Sequence, residues 1–241
     1  MPESDATSTA SRCWPPGWTI EHVASTGSTN ADLLAVSAAR PDRSVLVADH
    51  QTAGRGRLDR SWDAPPGTNL LASLLFHVVP APASELTRRV GLAAIAAAEE
   101  VAGVRAGLKW PNDVMVGDAK LAGILAQRSA AGPVVVGIGL NVRWAPAGAA
   151  RLGTGIDVPA VLAALLAAYD ALPADIDEEY RRHLSTLGRH VRVELPGGSL
   201  EGIAVDVDPD GRLVVVDSCT ITHRLDVGDV VHVRARLPPL N

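Results

Sequence analysis

Only 3 % of the 241 residues are aromatic, with one Phe and two Tyr. Any core must therefore be built from Ala, Val and Leu, and the five Trp residues stand out individually. Cysteine is scarce too. Cys13 and Cys219 lie far apart and form no CxxC or zinc-type spacing, so both read as ordinary reduced thiols. No apolar run is long enough to span a bilayer, and the N-terminus lacks a basic segment followed by an apolar one. A cytoplasmic protein that uses no membrane is the expectation. Positive charge is not in excess: the formal net charge is −5, which argues against a surface that coats nucleic acid.

What the chain does contain is one sizeable domain's worth of residues plus a small one. Residues 1–17 are rich in Ser, Thr and Pro and read as a disordered leader. A first strand is expected at Trp18–Ala24, a helix after Ser25–Asn30, a short buried strand at Ser44–Asp49 and a longer one at Asn69–Val79. Ser84 is read as the N-cap of a helix reaching Ala102. Strands at Leu108–Val116, Leu121–Arg128 and Pro133–Val142 are joined by breaks too short for parallel crossovers, which predicts a mostly antiparallel sheet. Asp157–Leu172 carries one apolar stripe behind an Asp N-cap, and Asp177–Leu187 continues as a charged helix closed by Gly188. Short valine-rich strands then fill the chain to Arg236 and read as a small β-barrel. The domain expectation is 18–187 followed by 188–241.

The chemistry concentrates between Gln51 and Trp62, where Gly54 and Gly56 interleave with Arg55 and Arg57, followed by Arg60. Glycine lets a backbone approach a ligand closely, and arginine offers forked donors to phosphate or carboxylate. A hinged cationic loop ending in an aromatic plate suits an anionic, nucleotide-like ligand. A solvated turn or a nucleic-acid patch would also explain it. Ser28, Thr29 and Asn30 stand before a helix, where they either cap it or hold a small polar ligand. Lys109 to Asp113, Lys120 to Leu125 and Gly137 to Asn141 each end or begin a strand with polar residues. Singly, these have plain explanations: Lys120 an edge charge, Gly139 a bulge, Asn141 a strand terminator.

Together, STGSTN (25–30), QTAGRGR (51–57), KWPND (109–113), KLAGIL (120–125) and GIGLN (137–141) resemble the biotin protein ligase family over roughly residues 18–145. The resemblance implies an α+β fold: a mixed, mostly antiparallel central sheet flanked by helices, like a class II synthetase, with a small C-terminal SH3-like β-barrel. It implies ATP-dependent activation of biotin to biotinyl-5′-AMP with release of pyrophosphate. Transfer to one lysine of a biotin carboxyl carrier protein domain follows. By similarity Ser28, Thr29, Asn30 and Gln51 surround the ureido head of biotin, while Arg55, Gly56, Arg57, Lys120 and Gly123 also contact biotin. Arg57, Arg60, Trp62, Asn112, Lys120 and Asn141 serve ATP, with Lys120 and Arg57 as the catalytic charges. Mg²⁺ is expected through the ATP phosphates, and no side chain is assigned to it directly. Leu58 and Asp59 depart from the basic residue and glycine that the family often carries there.

Nothing before residue 18 can hold a helix-turn-helix, so a ligase without DNA binding is expected rather than a transcriptional repressor. A homodimer paired through sheet edges stays open. The rival readings are a lipoate or octanoyl transfer enzyme and a non-catalytic biotin- or nucleotide-binding regulator. The polar cluster at 28–30 disfavours the first, and the pairing of Arg57 with Lys120 disfavours the second.

Overall fold

A computed structural model describes residues 14–130, 132–195, 197–226 and 228–232. The first thirteen residues of the expected leader lie outside the described residues, and Trp14, expected within the leader, is half-buried against the main core.

Seven strands form the larger sheet: β1 (Thr19–Thr26), β2 (Ser44–Gln51), β3 (Leu70–Phe76), β4 (Gly107–Lys109), β5 (Asp113–Val116), β6 (Ala119–Arg128) and β7 (Val134–Leu140). Their spatial order is β1-β2-β3-β7-β6-β5-β4. The β1–β2 pair is parallel and the other neighbours are antiparallel, so the sheet is mixed and mostly antiparallel as expected. Helices α1 (Thr29–Ala35), α2 (Ser84–Ala102), α3 (Val158–Ala171) and α4 (Asp177–His183) accompany it. The smaller sheet holds β8 (His190–Leu195), β9 (Gly198–Val207), β10 (Leu213–Val216), β11 (Thr222–Leu225) and β12 (Asp229–His232). It is antiparallel throughout, in the order β11-β10-β9-β8-β12.

Side chains alternate across a strand, and that period decides where a site can form. On β3, Leu70, Ala72, Leu74 and Phe76 join the main core beneath α2 and α3. Leu75 faces the other way, into a small cluster with Leu33 of α1, Leu46 and Val135. On β7, Val134, Val136, Ile138 and Leu140 take the first face, which leaves Val135, Gly137 and Gly139 for the second. The register lines up Leu46, Ser73, Gly137 and Leu125 in one row across the sheet, and Leu71, Gly139, Gly123 and Asp113 in the next. α1 covers only part of this second face. The glycine-lined remainder is a trough.

Small residues also make the covered face possible. Ala93, Ala94, Ala97 and Ala98 let α2 lie close to its neighbours, and the helix stops at Gly103, whose φ of +64° closes the last turn. Scarce aromatics are pooled: Trp18, Phe76 and Tyr169 form one cluster, with Arg43 over the Trp18 ring at 4.2 Å. Burial in it pushes the Tyr169 hydroxyl up to about 12.

Several local expectations change. Ser84 is the first helical residue rather than the cap, and its Oγ donates to the carbonyl of Asp210 in the smaller sheet at 2.9 Å. The strand expected over 108–116 is two strands, β4 and β5, folded back on each other around Trp110-Pro111-Asn112. The long strand ends at Phe76 because the next amide, that of His77, is claimed by the Asp42 carboxylate at 2.6 Å. α4 ends early, and Leu184 and Ser185 pair with Leu108 beside β4 instead.

Candidate functional site

The trough opens into a pocket of about 360 Å³, lined by residues of α1, β2, the 55–63 segment, β5, β6, β7 and Asp229. All thirteen residues expected for biotin or ATP line it: Ser28, Thr29, Asn30, Gln51, Arg55, Gly56, Arg57, Arg60, Trp62, Asn112, Lys120 and Asn141, with Gly123 on the floor.

One end is neutral and polar. The backbone NH and the hydroxyl of Thr29 both donate to Gln51 Oε1, at 2.8 and 3.0 Å. Ser73 Oγ, rising from the middle of β3, lies 2.7 Å from Thr29 Oγ1 and 2.6 Å from Asn30 Oδ1. Asn30 is buried, and its Nδ2 donates to Leu125 O and Gln127 Oε1 at 3.0 and 2.9 Å. Its amide is thus consumed by the protein. Glycine at 137 is required here, since a Cβ would fall 2.2 Å from Asn30 Oδ1.

The other end is cationic, and a bulge creates it. Val114 pairs with Ala122, but Met115 pairs with Lys120, so Leu121 is an extra residue in β6. In a regular ladder with Leu121 paired to Met115, Lys120 would share the core-facing parity of Ala122 and Ile124. The one-residue shift turns Lys120 onto the trough face, where its Nζ meets Asp113 Oδ1 at 2.7 Å. Asn112 is held by Ile124, donating from Nδ2 to its carbonyl at 2.8 Å while its own carbonyl accepts the Ile124 NH at 2.9 Å. Its free oxygen then accepts from Arg57 Nη1 at 3.1 Å. Burial lowers the Arg57 pKa from the usual arginine value, against the opposing pull of Asp229 and Asp113.

The 51–62 segment is a tight hairpin rather than an open loop. Its base is zipped to the β1–α1 connection by Thr52 and Ala53, whose amides donate to Thr26 and Gly27. Trp62 NH then donates to Gly54 O at 2.9 Å, Arg55 bridges Ser61, and Gly56 NH donates to Arg60 O at 2.6 Å. Leu58 sits at the apex with φ of +54°, a left-handed conformation in which a leucine is strained, and it is exposed.

Trp62 lies flat on the trough floor. A Cβ on Gly139 would fall 2.4 Å from Trp62 Cε2, and one on Gly123 3.2 Å from Cζ3. Gly139 is therefore no bulge: its pairings with Leu71 and Gly123 are regular, and it is glycine because an indole rests on it. Lys120 Nζ is 5.6 Å from the ring centroid, and the indole NH is buried without a partner. Asn141 is buried at the far rim, tied to Asn69, Ala150 O and Lys120 O, so it braces the lysine's strand rather than projecting into the pocket. Trp110 braces as well: its indole NH donates to Gly211 O of the smaller sheet at 3.0 Å.

Sequence reasoning missed three contributors. Ser73 sat in an apolar strand and Asn69 at its start; a lone polar residue in such a run was the available signal. Asp229, from β12, carried no signal, because nothing in its neighbourhood says that the smaller sheet reaches the pocket. Four cations (Arg55, Arg57, Arg60, Lys120) face three carboxylates (Asp63, Asp113, Asp229) around the pocket, leaving it net positive. Among the described residues no group of three or more His, Cys, Asp or Glu side chains could hold a metal ion, and no helix is long and apolar enough to cross a membrane.

A profile of the Biotin/lipoate A/B protein ligase family matches residues 22–142, and one of the Biotin protein ligase C terminal domain matches residues 186–233. A Mycobacterium tuberculosis (strain ATCC 25618 / H37Rv) protein named Biotin--[acetyl-CoA-carboxylase] ligase is 41% identical over 245 aligned positions, covering 90% of this chain and 91% of its own. The Bacillus subtilis (strain 168) bifunctional ligase/repressor BirA is 28% identical over 73% of this chain, which spans 62% of that longer protein. The biotin protein ligase from Aquifex aeolicus, solved in complex with biotin and ATP, superposes with a TM-score of 0.75 at 26% identity, over 90% of this chain and 99% of its own. A pocket neutral at one end and cationic at the other thus sits in a chain that matches such ligases along nine-tenths of its length, and the chain belongs to the biotin protein ligase family.

Proposed function

We propose that this chain joins biotin to ATP and passes the biotinyl group to a lysine of a biotin carboxyl carrier domain. A biotin carboxylate oxygen attacks the α-phosphorus, the bond to the β-phosphate breaks, and pyrophosphate leaves. The lysine amine then attacks the acyl carbon, and AMP leaves. Both steps gather negative charge where Lys120 and Arg57 lie, and fixed cations aimed at developing charge are the largest contribution a protein makes to such chemistry. Mg²⁺ would come with the triphosphate, held by its phosphate oxygens, and would supply further charge neutralisation, since no cluster of ligating side chains is present among the described residues.

The observation that carries the reading is the polarity of the pocket along its glycine floor. Gln51 has its carbonyl oxygen committed to Thr29, so its amide NH₂ is what it offers, and that group suits a urea carbonyl. Asn30 acts as the post that holds this end in place. Gly123 and Gly139 would take the acyl chain. Seating it there requires the Trp62 indole to lift, which makes the hairpin a moving part of the site. The likeness to the Mycobacterium tuberculosis ligase supports an acetyl-CoA-carboxylase carrier as the acceptor.

The test is mass spectrometry of a carrier-domain lysine after incubation with the enzyme, biotin, Mg²⁺ and ATP, with lipoate in parallel. A biotin-sized mass gain on that lysine, with little from lipoate, is expected. No gain, or an equal gain with lipoate, would overturn the assignment.

A further inference from the structure

The smaller sheet touches the cationic end of the pocket at one place. Asp229 opens β12, in register with Glu194 of β8, and its carboxylate is paired with the Arg60 guanidinium. The preceding residue, Gly228, accepts a hydrogen bond from Arg57 Nη2 through its carbonyl at 3.2 Å. Gly228 has φ of +154°, and a Cβ there would lie 2.4 Å from Val193 Cγ1, so this two-residue step is seated firmly on β8. Two of the hairpin's three arginines, Arg57 and Arg60, are therefore engaged by the smaller sheet. No other acidic side chain of that sheet lines the pocket among the described residues.

We propose that Asp229 is a positioning residue that competes with ATP phosphate for Arg60, so that nucleotide binding transfers Arg60 from the smaller sheet to the substrate. This rests on the adenylation reading above. The pair is built to exchange. The Arg60 side chain is 64% exposed and that of Asp229 30%, and ion pairs of such exposure are worth little. A triphosphate offers the same forked guanidinium several oxygens and more charge than one carboxylate. Asp229 holds the cation near its working place until the phosphates take it over. Biotin, whose polar head belongs at the Thr29–Gln51 end, does not meet this charge.

The experiment is titration calorimetry of Mg²⁺-ATP, and separately of biotin, into full-length wild type, Asp229→Asn, Asp229→Glu, Arg60→Ala and the Arg60→Ala/Asp229→Asn double variant. Thermal melts confirm folding. Asp229→Asn should tighten ATP binding roughly three- to tenfold, as removal of one competing charge would, and leave the biotin Kd within about twofold. Asp229→Glu should behave like wild type. In the Arg60→Ala background, the Asn substitution should change ATP binding by less than about twofold, since the competition is lost. Unchanged or weaker ATP binding by Asp229→Asn would overturn the proposal, as would a tightening that persists without Arg60. Pyrophosphate release by wild type, measured alongside, reports on the adenylation reading by itself: its absence would defeat that reading, while the ATP titrations would still decide the role of Asp229.

Discussion

Gly139→Ala is the sharpest test of how the trough and the hairpin fit. Gly139 lies in the middle of β7 and is not among the positive-φ glycines, so its backbone accepts any L residue. In a strand, alanine is favoured over glycine by about 0.5–1 kcal/mol. Only Trp62 forbids it here, because the new Cβ would lie 2.4 Å from Cε2 and 2.6 Å from Nε1. A flexible side chain could yield, but an indole held by the Gly54 pairing can only leave with its hairpin. Forced overpacking of this kind costs about 1–3 kcal/mol. With Trp62→Ala in place the obstacle is gone, and the same substitution should become stabilising by about 0.5–1 kcal/mol. The coupling between the two positions is then about 1.5–4 kcal/mol, well above the roughly 0.5 kcal/mol within which independent sites add. Urea unfolding of wild type, both single variants and the double variant measures it directly. A Gly139→Ala cost that is the same with and without Trp62 would refute the packing argument.

Other substitutions probe the rest of the site. Lys120→Ala should lower pyrophosphate release about 10²- to 10³-fold, the usual loss for one aimed donor, with little change in urea midpoint; wild-type-like release would remove Lys120 from the chemistry. Asn141→Ala should cost about 2–4 kcal/mol by leaving Asn69 Nδ2 and the Ala150 carbonyl unpaired inside the protein, and a midpoint shift equivalent to under about 0.5 kcal/mol would contradict that. Acid should weaken the smaller sheet. Burial pulls the Asp208 pKa up, but the amide and guanidinium of Arg212 hold it below the ordinary carboxylate value, and His223 with two backbone amides does the same for Asp217. Their contribution is complete above about pH 4 and is lost as pH falls through the depressed folded values, because the unfolded chain then binds more protons. Thermal melts between neutral pH and about pH 3 should therefore show a flatter acid limb for Asp217→Asn, and an unaltered limb would exclude this linkage.

What could be read from residues alone followed from local rules. Alternation and short breaks showed the antiparallel strands, and the apolar stripe showed α3. The polar cluster, the arginine segment and Lys120 were legible as chemistry and meet in one pocket. The rest depended on contacts between distant segments. Asn30 reads as a ligand-binding amide until Leu125, Gln127 and Ser73 are seen to use up its hydrogen bonds. Gly139 reads as a bulge until an indole from 77 residues earlier is found lying on it. Asp229 has no local pattern that points at Arg60. Ser84 obeys helix-cap preferences in sequence but spends its hydroxyl on Asp210, because a tertiary partner outbid the helix end.

The extra residue at Leu121 has a consequence for how this site can be lost. Every substitution at 121 keeps the count of residues between Gly123 and Lys120, so the lysine stays on the trough face however poorly the new side chain packs. Straightening the ladder with every residue kept, so that Met115 pairs with Leu121, would do the reverse: it would turn Lys120 to the side of Ala122 and deliver the ammonium group into the layer under α2, whereas deleting residue 121 would leave it opposite Met115 on the trough face. The place of the Lys120 charge is thus set by the register of the bulge as much as by the identity of position 120. Substitutions at 120 alone are blind to it, because the pairing of Met115 with Lys120 decides which face the side chain takes.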